Sequence, residues 1–225
     1  MINLIIAAAG SGSRFSKKIP KQFIKIQGYE ILEINLLKWI NIKFINRIYL
    51  ILPQKEFKYN KSKYQKLSNK IIPVIGGKSR AESINNAIRI LDLENKYTLI
   101  HDGARPFFTK ELITRILNSL KDKTAVVPSL KLTDTIKKIK DDKIVETVNR
   151  ENLISVQTPQ GFHTDLIIKV YKDLDLSNVN FDDSELVEKS GGDVFYIEGE
   201  KNNIKITTQK DIEYAEFLIQ RYIMQ

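Results

Sequence analysis

Leu4-Ile5-Ile6-Ala7-Ala8-Ala9-Gly10-Ser11-Gly12-Ser13-Arg14, with Pro20-Lys21-Gln22 shortly after it, decides the fold. The run Ile2–Ala8, apolar except for Asn3, reads as a buried strand, as strands of a parallel sheet are. It empties directly into a loop of small residues. Where no Cβ stands in the way, backbone N–H groups can approach an anion closely. Arg14 and Lys21 add the charge that a neutral loop lacks. The pairing points to a nucleoside triphosphate as one ligand.

Two better-known phosphate loops are excluded. Gly-Lys-Ser/Thr does not follow at the distance a Walker A loop needs. A dinucleotide fingerprint needs a third glycine and a helix opening at the loop, but the next helical pattern begins near Glu30.

Outward from this strand, apolar runs and helical periodicity alternate. Strands are expected at Ile45–Leu52, Ile71–Ile75, Tyr97–His101, Ala125–Pro128, Val194–Ile197 and Ile204–Thr207. Helices are expected at Ile31–Ile40, Ser79–Leu91, Lys110–Leu120, from Thr164 to about Tyr171, and from about Gln209 to Tyr222. The alternation predicts an α/β chain with a mostly parallel sheet and helices on both faces. Residues 131–150 break the rhythm. Two β-type runs, Thr133–Ile139 and Ile144–Val148, flank the polar turn Lys140–Lys143, and so predict a projecting β-hairpin arm. An arm with so little core of its own calls for a partner surface, and a dimer through it is expected.

The chain has 225 residues, no cysteine and two histidines, and no Pro/Gly/Ser-rich linker divides it, so one domain over 1–225 is expected. Disulfides and thiolate metal sites are excluded, and a multi-histidine zinc site is argued against. The first apolar run is too short for a membrane span and lacks the flanks of a signal peptide, which predicts a cytoplasmic protein. The net charge of +9 suits a polyanionic partner. Lys, Ile and Asn are abundant together, as in chains from AT-rich genomes, and Lys55, Lys58, Lys61, Lys63, Lys66 and Lys70 are scattered without the aromatic residues of an RNA-binding module. Neither nucleic acid nor membrane is therefore expected as a partner.

Ligands of open parallel sheets bind at the carboxyl ends of the strands. The motifs Ala8–Arg14, Gly76-Gly77-Lys78-Ser79-Arg80 and Asp102-Gly103-Ala104-Arg105-Pro106 fall at such ends, and Lys205 is expected on the same rim. His101 precedes Asp102 in a strand, so alternation turns it away as a packed side chain. Asp182 and Asp183 read as helix N-cap chemistry.

Ala7–Arg14, Pro20-Lys21-Gln22, Gly76-Gly77 with Arg80-Ala81-Glu82-Ser83, His101–Pro106, Thr133-Asp134-Thr135, Asn149-Arg150, Thr158-Pro159-Gln160 and Asn203-Ile204-Lys205 together resemble the 2-C-methyl-D-erythritol 4-phosphate cytidylyltransferase family, in order and spacing, over essentially the whole chain. The resemblance implies a Rossmann-like nucleotidyltransferase fold with a dimerising β-arm over 131–150. It implies transfer of CMP from CTP to methylerythritol 4-phosphate with release of pyrophosphate, in the non-mevalonate route to isoprenoids. By the same transfer, Arg14, Lys21 and Lys205 are the catalytic cations. Ala8, Ala9, Gly10 and Gly12 cradle CTP by their backbone, Gly76, Gly77 and Ser83 read cytosine, and Arg80, Asp102 and Gly103 complete the nucleotide set. Asp102 and Arg105 hold hydroxyls of the erythritol or ribose, while Thr135 and Arg150 clamp the 4-phosphate in the neighbouring subunit's site. Mg²⁺, or another divalent cation, is implied as the cofactor, shared with phosphate oxygens and water rather than held in a carboxylate cage. One departure stands out: the family commonly carries a threonine before the acidic pair, and this chain carries Phe181.

Other readings remain at this stage. A ribitol-5-phosphate cytidylyltransferase would share the loop and the clamp, although Asp102–Arg105, Arg80–Ser83 and Thr133–Thr135 look closer to the methylerythritol enzyme. A hexose-phosphate nucleotidyltransferase would leave the arm and Thr158–Gln160 unexplained. A non-catalytic, basic nucleotide- or RNA-binding protein would not need Arg14, Lys21 and Lys205 together.

Overall fold

A computed structural model describes residues 1–10, 20–173, 175–176 and 182–223. Gly12, Arg14 and Phe181, named above, lie outside the described residues. The elements run β1 (Ile2–Ala7), a 3₁₀ turn (Lys21–Phe23), β2 (Lys25–Ile26), β3 (Tyr29–Glu30), α1 (Ile31–Ile40), β4 (Ile45–Leu52), α2 (Phe57–Gln65), β5 (Ile71–Ile75), α3 (Arg80–Ile88), β6 (Tyr97–Asp102), α4 (Lys110–Ser119), β7 (Ala125–Lys131), β8 (Ile136–Lys140), β9 (Lys143–Val148), β10 (Ile154–Val156), β11 (Gln160–His163), α5 (Thr164–Asp173), α6 (Ser184–Lys189), β12 (Phe195–Glu198) and α7 (Gln209–Ile223).

The main sheet is ordered β10-β7-β11-β6-β1-β4-β5, with β12 paired to β7. β6, β1, β4 and β5 are mutually parallel, and β12 runs parallel to β7. β11 enters antiparallel between β6 and β7. Side chains alternate across a strand, and along β1 that alternation sorts the core. Ile2, Leu4 and Ile6 join Leu32, Leu36 and Trp39 of α1 and Leu112, Ile113 and Ile116 of α4 on one face. Ile5 joins Ile84, Ala87 and Ile88 of α3 and Ile167, Val170 and Tyr171 of α5 on the other. The run, apolar apart from buried Asn3, is thus explained by two covered faces. α7 lays Ile212, Ala215, Leu218 and Ile219 over Ile26, Phe107 and Ile206.

Local chemistry sets the helix starts nearest the strand ends. The Ser79 side chain accepts the Glu82 N–H at 3.0 Å, and the Glu82 carboxylate reaches back to the Lys78 N–H at 2.7 Å, in the manner of a capping box. Thr109 caps α4 through the Leu112 N–H.

Several expectations are corrected. Ile204–Thr207 is not a strand: Ile206 N–H bonds to the Ala104 carbonyl at 2.9 Å, and Asp211 takes the Thr207 and Thr208 N–H groups, so the segment is pinned by single bonds instead of a ladder. β7 extends to Lys131, and the hairpin strands reach Lys140 and Lys143, leaving only Asp141-Asp142 as the turn, with Asp141 at φ 53°. Asp tolerates that left-handed conformation better than most residues.

Candidate active site

The carboxyl ends of β1, β5 and β6 open onto one cleft of about 470 Å³. Ala8, Ala9 and Gly10 arrive from β1, Gly77 and Arg80 from beyond β5, Asp102 from β6, and Lys21 from the 3₁₀ turn. Lys205 reaches the cleft along the irregular segment after β12. Ser83 also lines it.

Gly76 and Gly103 have a different place: they are walls that let the β1 exit pass. A Cβ on Gly76 would lie 2.4 Å from Ala9 Cβ and 3.2 Å from the Leu52 carbonyl, and one on Gly103 would lie 2.9 Å from Ala8 Cβ. Ser83 donates to the Ser79 carbonyl at 2.7 Å and accepts the Gly77 N–H at 2.9 Å, so it shapes the loop that bears Gly77. Gln22, buried, donates through Nε2 to the Ala8 carbonyl at 2.6 Å and the Gly10 carbonyl at 3.1 Å. Those bonds engage carbonyls of the small-residue loop, whose Ala8 N–H donates to the Ile51 carbonyl at 3.1 Å.

Asp102 forms a charged corner. Its carboxylate lies 2.9 Å from Lys205 Nζ and 3.2 Å from Arg105 Nε. Burial would raise the Asp102 carboxyl, but Lys205, Arg80 and Arg105 together hold it well below the usual carboxylate range. Arg105 also donates to the Asn203 carbonyl at 3.0 Å, which ties the Lys205 segment to the corner; Arg105 itself stands behind Asp102 and does not line the cleft. The corner's backbone is held as firmly. Asn35 donates to the Asp102 and Gly103 carbonyls at 3.1 and 3.2 Å, and the Asp102 N–H donates to Thr158 Oγ1 at 3.0 Å.

His101 is fully buried, as alternation requires. Nε2 faces the Arg105 carbonyl at 2.9 Å, which makes it the protonated nitrogen, and Nδ1 accepts from Thr158 Oγ1 at 3.0 Å. Trp39 and Phe108 meet it edge-on. Burial lowers its pKa to about 3, so it is neutral at ordinary pH.

Arg80 makes a two-pronged pair with Asp183 at 2.8 and 2.6 Å. This corrects the N-cap reading: Asp183 precedes α6 but its side chain caps nothing, whereas Asp182 accepts the Glu185 N–H at 3.1 Å.

Thr135 and Arg150 stand apart from the cleft. Thr135 is exposed just before β8, and Arg150 donates to the Thr133 carbonyl. Arg150 lines a separate depression of about 1250 Å³ with Lys131, Thr133, Tyr196 and Lys201. A further depression of about 720 Å³, lined by Lys96, His163 and Lys169, lies at the start of α5, away from the carboxyl strand ends where ligands of such sheets bind.

Sequence reading passed over Gln22 as a ligand-loop brace, Asn35, Thr158 and Asp183. Gln22 and Thr158 sit inside quoted motifs, and Asp183 reads there as a helix cap; Asn35 carries no local signal. Among the described residues no group of three or more His, Cys, Asp or Glu could hold a metal, and Asp102 is the carboxylate among the cleft-lining residues. Cations on the walls, backbone N–H groups at the base and one carboxylate make a cleft suited to a polyphosphate and to charge developing on it.

Comparison with known proteins converges on one family. The family model described as 2-C-methyl-D-erythritol 4-phosphate cytidylyltransferase matches residues 2–221. Proteins of that name from Clostridium botulinum (strain Eklund 17B / Type B) and Clostridioides difficile (strain 630) are 36% and 38% identical, covering 98% and 97% of this chain and 100% and 94% of their own lengths. The crystal structure of 4-diphosphocytidyl-2C-methyl-D-erythritol synthase from Anaerococcus prevotii DSM 20548 superposes with a TM-score of 0.83 at 35% identity, over 97% of this chain and 96% of that one. The Francisella tularensis 2-C-methyl-D-erythritol 4-phosphate cytidylyltransferase structure gives 0.83 at 29% identity, over 96% and 98%.

Proposed function

The chain belongs to the 2-C-methyl-D-erythritol 4-phosphate cytidylyltransferase family and is a nucleotidyltransferase of the methylerythritol phosphate route to isoprenoids, and we propose that it works by in-line attack of the substrate's phosphate on the α-phosphorus of CTP. The observation that carries the reading is the convergence of Ala8–Gly10, Lys21, Arg80, Asp102 and Lys205 on one cleft.

Methylerythritol 4-phosphate is a phosphate monoester, already an anion at neutral pH, so no general base is needed. One of its oxygens forms a bond to the α-phosphorus. The bond from that phosphorus to the oxygen bridging toward the β-phosphorus breaks, and pyrophosphate leaves with the electron pair. The barrier is electrostatic, an anion meeting a polyanion, and the remedy is positioning and charge neutralisation. Lys21 and Lys205 take the role of point charges on the α-phosphate as it becomes five-coordinate. The Asp102 pair holds Lys205 at the site, at 2.9 Å. Arg14, on the same loop, is assigned to the triphosphate by its motif. Backbone groups of Ala8, Ala9, Gly10 and Gly12 receive the phosphates, Gly77 and Ser83 face the base, and Gly76 and Gly103 let those walls close up.

The donor set suits a Mg²⁺ ion held chiefly by the nucleotide, with Asp102 as the protein carboxylate that would hold it; such an ion would supply positive charge to offset that of the phosphates. The arm's Thr135 and Arg150 are assigned to the 4-phosphate of a site in a second subunit, which makes the homodimer the working unit. Exposed Ile139, Ile144 and Val145 on the arm support that assignment. No helix among the described residues is long and apolar enough to cross a membrane, and a cytoplasmic location is proposed with the pathway.

The deciding experiment is pyrophosphate release with CTP and Mg²⁺, offering methylerythritol 4-phosphate and ribitol 5-phosphate separately. Release with the first alone is expected. Preference for ribitol 5-phosphate would keep the chemistry and overturn the substrate; no release with either would overturn the enzyme reading.

A further inference from the structure

Arg80 opens α3 at the lip of the cleft, and what stands behind it is unusual. The carboxylate of Asp183, with 0% of its side chain exposed, grips the guanidinium at two points, 2.8 and 2.6 Å away. Tyr171 Oη on α5 donates to the same carboxylate at 2.6 Å. Asp183 is steadied in turn by its neighbours. Gln160 Nε2 donates to Asp182 Oδ2 at 2.8 Å, and the Ser184 N–H donates to Gln160 Oε1 at 3.2 Å. A buried ion pair is weak evidence for stability, since well-packed apolar residues often serve as well. A bidentate fork does fix the plane and direction of a guanidinium, and it occupies only part of that group's donors. Arg80 keeps 32% of its side chain exposed, on the side that lines the cleft.

We propose that Asp183, braced by Tyr171, is a positioning residue for the nucleotide half of the reaction: it aims the Arg80 guanidinium at the bound triphosphate before CTP arrives. The inference rests on reading the cleft as the CTP site and deepens it. It also links α6, whose sequence looked like ordinary capping, to the start of α3, across 103 residues of chain.

The test is isothermal titration of CTP, without the second substrate, into wild type, Asp183→Asn, Arg80→Lys and the double variant, together with thermal melts and steady-state kinetics. Asp183→Asn should weaken CTP about tenfold, while KM for methylerythritol 4-phosphate at saturating CTP stays within about twofold. Because lysine cannot make the fork, Asp183→Asn should add little on the Arg80→Lys background. An equal loss on both backgrounds, a lower melting temperature with unchanged CTP affinity, or a rise confined to the second substrate's KM would each overturn the proposal. If Asp183→Asn does not fold, Tyr171→Phe decides: it keeps the ion pair, should weaken CTP about threefold, and unchanged affinity would overturn the proposal. A wild-type protein that fails to bind CTP would instead sink the underlying reading.

Discussion

Within the cleft, each group that shapes a wall is held by another residue of the same chain. Gln22 braces the Ala8–Gly10 loop, Ser83 the Gly77 turn, Asn35 and Thr158 the Asp102 corner, and Asp183 the Arg80 fork. Along the arm the opposite holds. Ile139, Ile144 and Val145 are 68%, 66% and 54% exposed, and the Lys138–Glu146 pair is solvated at 3.7 Å. A two-stranded hairpin with no covered face is marginal alone. The difference teaches that the cleft is held together within one chain, while the arm lacks a covering surface among the described residues, which the proposed dimer would supply. Charge loss in the cleft should therefore cost chemistry without cost to folding, and damage to the arm should cost assembly first.

The largest effect expected is at Lys21. Lys21→Ala should lower kcat about 10³-fold, the scale of losing one stabiliser of developing charge, with a circular-dichroism melt matching wild type. Full activity in this variant would remove the cleft from the chemistry. Next is the arm. Val145→Asp should turn a dimer into a monomer by light scattering and lower kcat/KM about 10²-fold through lost positioning. An active monomer would break the comparison. A mixing experiment sharpens it: Lys21→Ala and Arg150→Ala proteins, each inactive alone, should regain about a quarter of wild-type activity when mixed, because a symmetric mixed dimer keeps one site with both residues intact. An arm acting on its own chain's cleft would give no recovery.

A smaller effect is expected inside the cleft wall. Gly76→Ala places a Cβ 2.4 Å from Ala9 Cβ and 3.2 Å from the Leu52 carbonyl, neither of which has a flexible side chain to move aside. It should cost about 1–3 kcal/mol of stability by denaturant titration and raise KM for CTP more than KM for the second substrate. Unchanged stability would mean that the β1 exit yields more readily than its bracing suggests.

What could be read in the sequence follows from the same contrast. β1, β4, β5 and β6 were legible because each is a mainly apolar run of strand length, and Ile45–Leu52 and Ile71–Ile75 match residue for residue. α2 was not, because it buries only Asn60 and Tyr64 while Lys58 and Lys61 are exposed, leaving little periodic signal. β11 was not, because Gln160–His163 is short and half polar, and Gln160 is satisfied by a segment more than twenty residues on. Ile204–Thr207 misled in the other direction: its β-branched residues had no partner strand to pair with. The cleft's cations and glycines were visible as motifs, and Thr158 within one, but Asn35 and Asp183 act through contacts 67 and 103 residues away that leave no local pattern.

The smallest effect at neutral pH concerns His101, and its sign separates the two regions again. The folded imidazole, buried among Trp39 and Phe108, has its pKa lowered from 6.5 to about 3. Between those values the unfolded chain binds a proton that the folded chain refuses, so stability falls as pH falls through that window and is fully present above it. Protonation would also put a second donor at Nδ1, where Thr158 Oγ1–H now donates and in turn receives the Asp102 N–H. His101→Gln should therefore lower the melting temperature modestly at pH 8, where the native histidine is neutral and both its nitrogens are bonded. On acidification wild type should lose stability faster than the variant, and the gap should close toward pH 4. The arm's exposed Lys138–Glu146 pair contributes little at any pH, so acid should loosen the Asp102 corner, seen as rising KM for CTP, before it dissociates subunits. Parallel pH curves for wild type and His101→Gln would show that the corner is held without the imidazole, and would move the burden to Asn35 and Arg105.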